Sequence, residues 1–303
     1  MTAYYIGLAL NTASLLAIGG LGSLFAINNG DFNLAGEGQV YLGGFLTAIF
    51  LASVPNLPFP IAIILVLLLV FLCGALIQTI TTLLKWRKSP VLLTSFLLSA
   101  AIIPIIDWLV SGPFQAGDSL LATSYIPQNF RLTRLLPPST LNTTIVFSLI
   151  FCVAAWAFLS FTRKGNSFTV AGISNNFASY SGIDTKITDL VSLAFSGGFL
   201  ALSGAFAILG TYYTCHQGFY SGFGWNALTV ALLSRKNPLA LIPSSLFVSA
   251  LVTFTNQYSL MHSIGFDFTG IVEAVILFLI VLILSRGSYL SAKIRCIFKG
   301  GKK

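Results

Sequence analysis

The residues able to do chemistry are few, and the first is Glu37, set in the run Phe32-Asn33-Leu34-Ala35-Gly36-Glu37-Gly38-Gln39 between two long apolar stretches. A carboxylate near or inside hydrocarbon costs at least a few kcal/mol unless it meets water or a partner. It therefore lines a wet pathway, bonds an unwound backbone, or is solvated at an interface. Glu273, near the start of the last apolar run, offers a similar group at a shallower position, and Asp107 suits a capping or snorkelling role. His216 and His262 have no third ligand at metal spacing, so no metal site is expected. Cys73, Cys152, Cys215 and Cys296 form no CxxC pair and read as small packing residues. Ser196-Gly197-Gly198 superficially resembles part of a nucleotide signature, but it is embedded in an apolar helical run, where small residues serve close helix packing. Nothing matches G-x-x-x-x-G-K-[ST], and Gly300-Gly301-Lys302-Lys303 lacks the spacing. The expectation is a protein with no catalytic residue and no cofactor, whose energy source lies in a partner.

The elements that must position these groups are membrane helices. Of 303 residues, 56% are hydrophobic and 8% charged, against roughly 25% charged in a soluble domain. Unpaired backbone is excluded from hydrocarbon, so apolar runs of span length must be helical. Nine are expected: about 3–27, 33–53, 59–84, 90–110, 141–161, 189–214, a short one at 222–234, 239–255 and 268–285. The fold class expected is an all-α polytopic transmembrane bundle of about eight to ten spans with discontinuous or re-entrant segments, forming a single membrane domain over 1–303. No basic region precedes the first apolar run, so it does not read as a cleaved signal.

The net charge of +8 lacks the aromatic interleaving of a nucleic-acid surface, so no nucleic acid is expected as a partner. Threading the spans alternately puts fourteen of the sixteen Lys and Arg on one side, with only Arg131 and Arg134 opposite. Positive short loops stay cytoplasmic, which predicts an outside N-terminus, a cytoplasmic C-terminus, an extracytoplasmic loop at 111–140 and a cytoplasmic loop at 162–188. The short seventh element is the weak link in this threading, being more like a re-entrant or broken segment than a full crossing.

Two stretches at membrane depth, 28–39 and 217–226, are too polar and glycine-rich for plain helices. One falls in each half of the chain, a pairing that points to a transporter pathway; ordinary interfacial turns are the alternative. The pathway reading selects Asn33, Glu37, Gln39, Trp225 and Asn226. In the loop 162–188, Ser174 and Asn175 suit the cap of a short helix stopped at Gly182, either a docking element or an idle connector.

Three of these stretches carry a resemblance. Residues 32–39 with Gly43-Gly44 resemble the "FNIG-EGQ-LG" segment of bacterial ABC importer permeases of the branched-chain amino acid, ribose and nucleoside superfamily. Residues 172–183 are similar to their "G-N-AA-Y-GI" coupling segment, and residues 224–233 with Asn237-Pro238 to "G-AVALLG-NP". Order and spacing agree over roughly 30–285. Ser174, Phe177 and Ser234-Arg235-Lys236 depart from the pattern. Glu37-Gly38-Gln39 looks most like the nucleoside type.

The resemblance implies a permease subunit in a bacterial cytoplasmic (inner) membrane, surrounded by membrane lipid, that passes nucleosides or related sugars. It implies a cytoplasmic ABC ATPase touching Gly172, Ser174, Asn175, Gly182 and Ile183, a second permease subunit in a heterodimer, and an extracytoplasmic substrate-binding lipoprotein. Rival readings are an ion-coupled carrier built on Glu37 and Glu273, and a permease for ribose-type sugars or branched-chain amino acids.

Overall fold

The computed structural model describes residues 2–117 and 120–262, with isolated helical positions at 271, 274, 275 and 278; Glu273, Cys296 and the span expected at 268–285 lie outside the described residues. Helices α1 (Thr2–Asn28), α2 (Gly36–Ser53), α3 (Phe59–Trp86), α4 (Val91–Ser111), α5 (Thr144–Phe161), α6 (Arg163–Ile173), α7 (Asn175–Tyr180), α8 (Thr185–Ala207), α9 (Phe223–Leu233) and α10 (Leu241–Met261) follow in order. Among the described residues six helices are long and apolar enough to cross a membrane. Among the described residues there is no strand, only isolated bridges at Ala122–His216 and Arg134–Asn142. The all-α polytopic class is as expected.

Contacts divide the chain into two units, Met1–Ala250 and Leu251–Lys303. The second holds the end of α10, where the rings of Phe254, Tyr258 and His262 stack one helical turn apart.

In the first unit α1 and α8 form the buried centre, while α3, α4 and α5 expose most of their surface. On α3 the exposed residues Ile64, Leu68, Leu72 and Leu76 make a stripe at four-residue spacing, the pattern of a helix with one face in lipid. Its opposite face carries Gly74, whose backbone lies against Gly197 of α8, so that a methyl group at either position would strike the other's carbonyl. Gly43 of α2 meets the Ala201 carbonyl, and Gly204 meets that of Val40, in the same way. The small residues of α8 thus bring two neighbours to backbone contact, where dispersion and polar terms are largest.

Several boundaries shift for local reasons. The side chain of Asp184 accepts the amides of Lys186 (3.0 Å) and Ile187 (3.3 Å), starting α8 four residues before the expected 189. Asn33 Oδ1 accepts the Ala35 amide at 2.9 Å, a local turn that delays α2 to Gly36. Helix α6 was not expected. Thr162 caps it by accepting the Gly165 amide, and Phe168 anchors it in a ring cluster with Phe25 and Phe158.

Both broken stretches re-enter the bundle from its ends. Residues 29–35 return from the end of α1 in extended or turn conformation, and α2 continues in the same direction as α8. Residues 213–222 return from the far end of α8, and α9 then runs alongside α1. Lys85, Arg87, Lys88, Lys186, Arg235 and Lys236 lie at the end of the bundle where α1 and α3 finish and α8 starts, since Lys85 reaches Asp189 and the Lys236 carbonyl meets Asn28. Arg131 and Arg134 lie at the other, where the Leu132 amide bonds the Leu209 carbonyl at 3.0 Å beside a π-helical turn, Ile208–Tyr212.

Gly43→Ala forces two helix backbones apart and is expected to destabilise the protein by about 1–3 kcal/mol; thermal unfolding of the detergent-purified chain measures it, with Leu68→Ala on the exposed stripe of α3 as the mild reference.

Candidate functional site

The first turns of α2 and α9 meet at mid-depth. Gly36 and Gly224 touch through backbone, leaving no room for a side chain on either. One half-helix runs toward each end of the bundle, so two sets of unpaired N–H groups and two positive dipole ends converge. Glu37 answers them: its Oε1 accepts the amide of Gly222, the cap residue of α9, at 2.9 Å. Gly222 has φ +78°, a left-handed turn that favours glycine.

Beside this junction lies a cleft of about 200 Å³ lined by Asn33, Glu37, Phe96, Ser99, Trp225 and Leu228, among others. Trp225 is 49% exposed. Ser95 and Ser99 of α4 accept the amides of Leu34 (3.0 Å) and Gly38 (2.9 Å), so one wall is bonded to the loop it faces. The remaining pathway candidates sit differently. Gln39 is fully buried, bonded to Gln78 and to Asn33 Nδ2 (3.2 Å). Asn226 lies one helical turn after Gly222, whose carbonyl accepts its amide at 2.9 Å, and is not among the cleft walls. Asn33 does both jobs, reaching Ser196 Oγ at 2.9 Å. Asp107 accepts the Tyr41 hydroxyl at 2.7 Å, and so joins α4 to α2.

Sequence reasoning missed an ion cluster at the basic end. The Lys85 ammonium meets Asp31 at 2.6 Å and Asp189 at 2.8 Å, while Asn29 Nδ2 donates to Asp189 at 2.7 Å and to Asp31 at 3.2 Å. In the sequence alone Lys85 counts only toward the excess of basic residues on one side. Gln78 and Lys85 on α3, and Ser196 and Asp189 on α8, are each seven residues apart, about 10 Å along a helix. The stretch 29–35 is thus tied to α8 at two levels, by Asn29 on Asp189 and Asn33 on Ser196, and to α3 directly through Asp31 on Lys85 and indirectly through Gln39 on Gln78.

Of the coupling candidates, Ser174 caps α7 by accepting the Phe177 amide at 3.3 Å. The Ile183 amide bonds back to the Ala178 carbonyl at 3.0 Å, and Gly182 has φ +78°, the glycine stop expected for a short helix. Asn175 opens the helix; Phe177 and Tyr180 stand exposed. Gly172 lies against the end of α1, where a methyl group would collide with the Asn28 carbonyl, and Gly30 packs on it in return. Among the described residues no group of three His, Cys, Asp or Glu could hold a metal.

A helical membrane bundle with two discontinuous segments meeting at mid-depth is the architecture of a transport pathway. The chain belongs to the family described as the branched-chain amino acid transport system / permease component, whose model matches residues 5–284. It is a membrane-embedded permease of the ABC importer class, a transport family rather than an enzyme family, which serves systems with separate ATPase and substrate-binding components. The chain is similar to a probable riboflavin import permease protein of Treponema pallidum, at 28% identity over 91% of this chain and 74% of that one. It is similar also to a guanosine ABC transporter permease protein of Bacillus subtilis, at 23% over 90% and 80%, and to a glucose ABC transporter permease protein of Haloferax volcanii, at 26% over 88% and 73%. No solved structure matches.

Lys85→Met leaves two carboxylates facing each other without their shared cation, and is expected to lose about 3 kcal/mol. Asp31→Asn leaves the Asp189 pair in place and should lose less. Chemical denaturation of the two variants in detergent gives the order, and a milder effect for Lys85→Met than for Asp31→Asn would remove the cluster from its structural role.

Proposed function

We propose that the chain is one of two permease subunits, in a heterodimer, of a bacterial inner-membrane importer for nucleosides or chemically related ring-and-polyol solutes. The observation that carries this is the cleft at the meeting of α2 and α9, where aromatic surface from Trp225 and Phe96 stands beside the Glu37 carboxylate. A nucleobase stacks on an aromatic face, and hydroxyl or ring N–H donors suit a carboxylate. Relatives named for riboflavin, guanosine and nucleosides share that combination of a heteroaromatic ring and a polyol; the glucose relative favours the sugar alternative.

In this reading the N-terminus is outside, the C-terminus and the segment 162–188 are cytoplasmic, and 111–140 is extracytoplasmic, facing the binding lipoprotein. The ATPase meets α7 through exposed Phe177 and Tyr180. Its closure moves Gly172, which bears on Asn28, and through it the stretch 29–35 that ends at Glu37. Asn33, Glu37 and Trp225 border the solute path; Gln39 and Asn226 support it. The chain supplies shape and movement, while ATP is hydrolysed by the partner and lipid surrounds the exposed faces of α3, α4 and α5.

Two measurements on the assembled complex test this. Trp225→Ala is expected to weaken nucleoside uptake about tenfold with complex assembly retained; undiminished nucleoside uptake removes the cleft from the path. Replacing Gly182 and Ile183 together by alanine is expected to reduce substrate-stimulated ATP hydrolysis about fivefold or more, and no change there removes α7 from coupling. Uptake that persists without the ATPase would favour an ion-coupled carrier.

A further inference from the structure

A second cleft, of about 200 Å³, opens at the basic end of the bundle and shares no wall with the first. It lies between the end of α5, helix α6, the last residue of α1 and the turn 235–238. Its walls include Trp156, Ser160, Thr169, Lys236, Asn237 and the buried Asn28. The polar groups offered are an ammonium, an indole N–H, two hydroxyls and carboxamide N–H groups, and no carboxylate is among the lining residues. Asn237 spends its oxygen on the Leu239 amide at 3.0 Å, which leaves its N–H groups to donate. Among the described residues the Lys236 ammonium, the Trp156 indole N–H and the Thr169 hydroxyl have no partner. A donor-rich site with one fixed positive charge and no competing anion is complementary to an oxyanion.

The backbone adds a separate observation. Arg235 and Lys236 have φ of +50° and +69°, the left-handed region that favours glycine. Two long basic side chains in succession occupy a turn that glycine would make with less strain. Attraction of positive charge to one side of a membrane explains basic residues anywhere on this face, but not the place of the exposed Lys236 on the wall of a polar cleft. Trp156, an amphipathic ring edge-on to Phe161 at 5.2 Å, sits where tryptophan marks the level of a membrane interface.

We propose that this cleft binds a phosphate-bearing anion, either the headgroup of an acidic lipid in the adjoining leaflet or free phosphate. The bound group would bridge the α5–α6 elbow to the turn 235–238 and to the end of α1.

The intact transporter, delipidated with its partners, is titrated with phosphatidylglycerol and with phosphatidylcholine, and bound lipid is counted by native mass spectrometry; a parallel arm follows the thermal midpoint with inorganic phosphate. Lys236→Gln is expected to weaken phosphatidylglycerol binding about fivefold, and Thr169→Val, which keeps the charge, to weaken it by a smaller factor. Lys88→Gln, an exposed cation on the same face but outside the cleft, is expected to change nothing, and phosphatidylcholine binding to be the same in all four proteins. A midpoint raised by phosphate in the parent and not in Lys236→Gln, without selective lipid binding, assigns the site to free phosphate. Binding of both probes that is indifferent to Lys236 and Thr169, or that falls equally with Lys88→Gln, overturns the site.

Discussion

Backbone that is not helical can lie within a membrane only if its polar groups find partners in the protein, and the whole molecule is organised around meeting that demand for residues 29–35. The Asp31 amide returns to the Ala26 carbonyl at 3.0 Å, that of Leu34 goes to Ser95, and that of Ala35 to Asn33. The side chains of the stretch are bound just as closely: Asn29 and Asp31 to Lys85 and Asp189, and Asn33 to Ser196 and Gln39. Every one of these contacts is with α1, α2, α3, α4 or α8, or within the stretch itself. The positions of those helices are therefore coupled to one short irregular segment, and a shift of any of them must either carry the segment along or expose its polar groups.

The glycines complete the arrangement. Buried polar side chains such as Asn33 and Gln39 are short, and they meet partners on α3 and α8 only because α2, α3 and α8 approach to backbone contact at Gly43, Gly74, Gly197 and Gly204. A Cβ at these places would widen the spacing and leave amides without partners, so close packing and polar satisfaction are a single constraint here. The same reasoning holds where Gly36 meets Gly224. That contact is what lets one carboxylate, Glu37, reach across to the capping amide of α9.

Much of this was legible in the residues. Span-length apolar runs located α1, α3, α4, α5, α8 and α10, because hydrocarbon demands long helices. Polar, glycine-rich interruptions located both breaks, and Ser174 with Gly182 located the ends of α7. What was hidden depends on three-dimensional approach. Asp31, Lys85 and Asp189 are far apart in the chain, and each alone reads as a loop or interface charge; only the packing of α3 on α8 makes them one cluster. Helix α6 escaped because it is short and lies against the bundle through Phe168 and Ala171 instead of spanning it. Asn33 and Gln39 were read alike, as pathway residues, since composition cannot tell which side of a helix turns toward a cleft. The structure sets Asn33 at the cleft wall and Gln39 behind it.

The placement of charge gives a reason for the path that movement would take through the chain. At the Gly172–Asn28 contact two backbones touch with no side chain between them, and packed backbone yields far less than an exposed side chain. The next link, Asp31 and Asp189 on Lys85, is held by charge in a partly buried setting, where one ammonium serves two carboxylates. The last link is the hydrogen bond of Glu37 at the converging ends of α2 and α9. A rigid contact, a shared ion pair and a single hydrogen bond, in that order from α7 to the cleft, would let a push at one end of the bundle arrive at mid-depth as a small rearrangement of two helix ends.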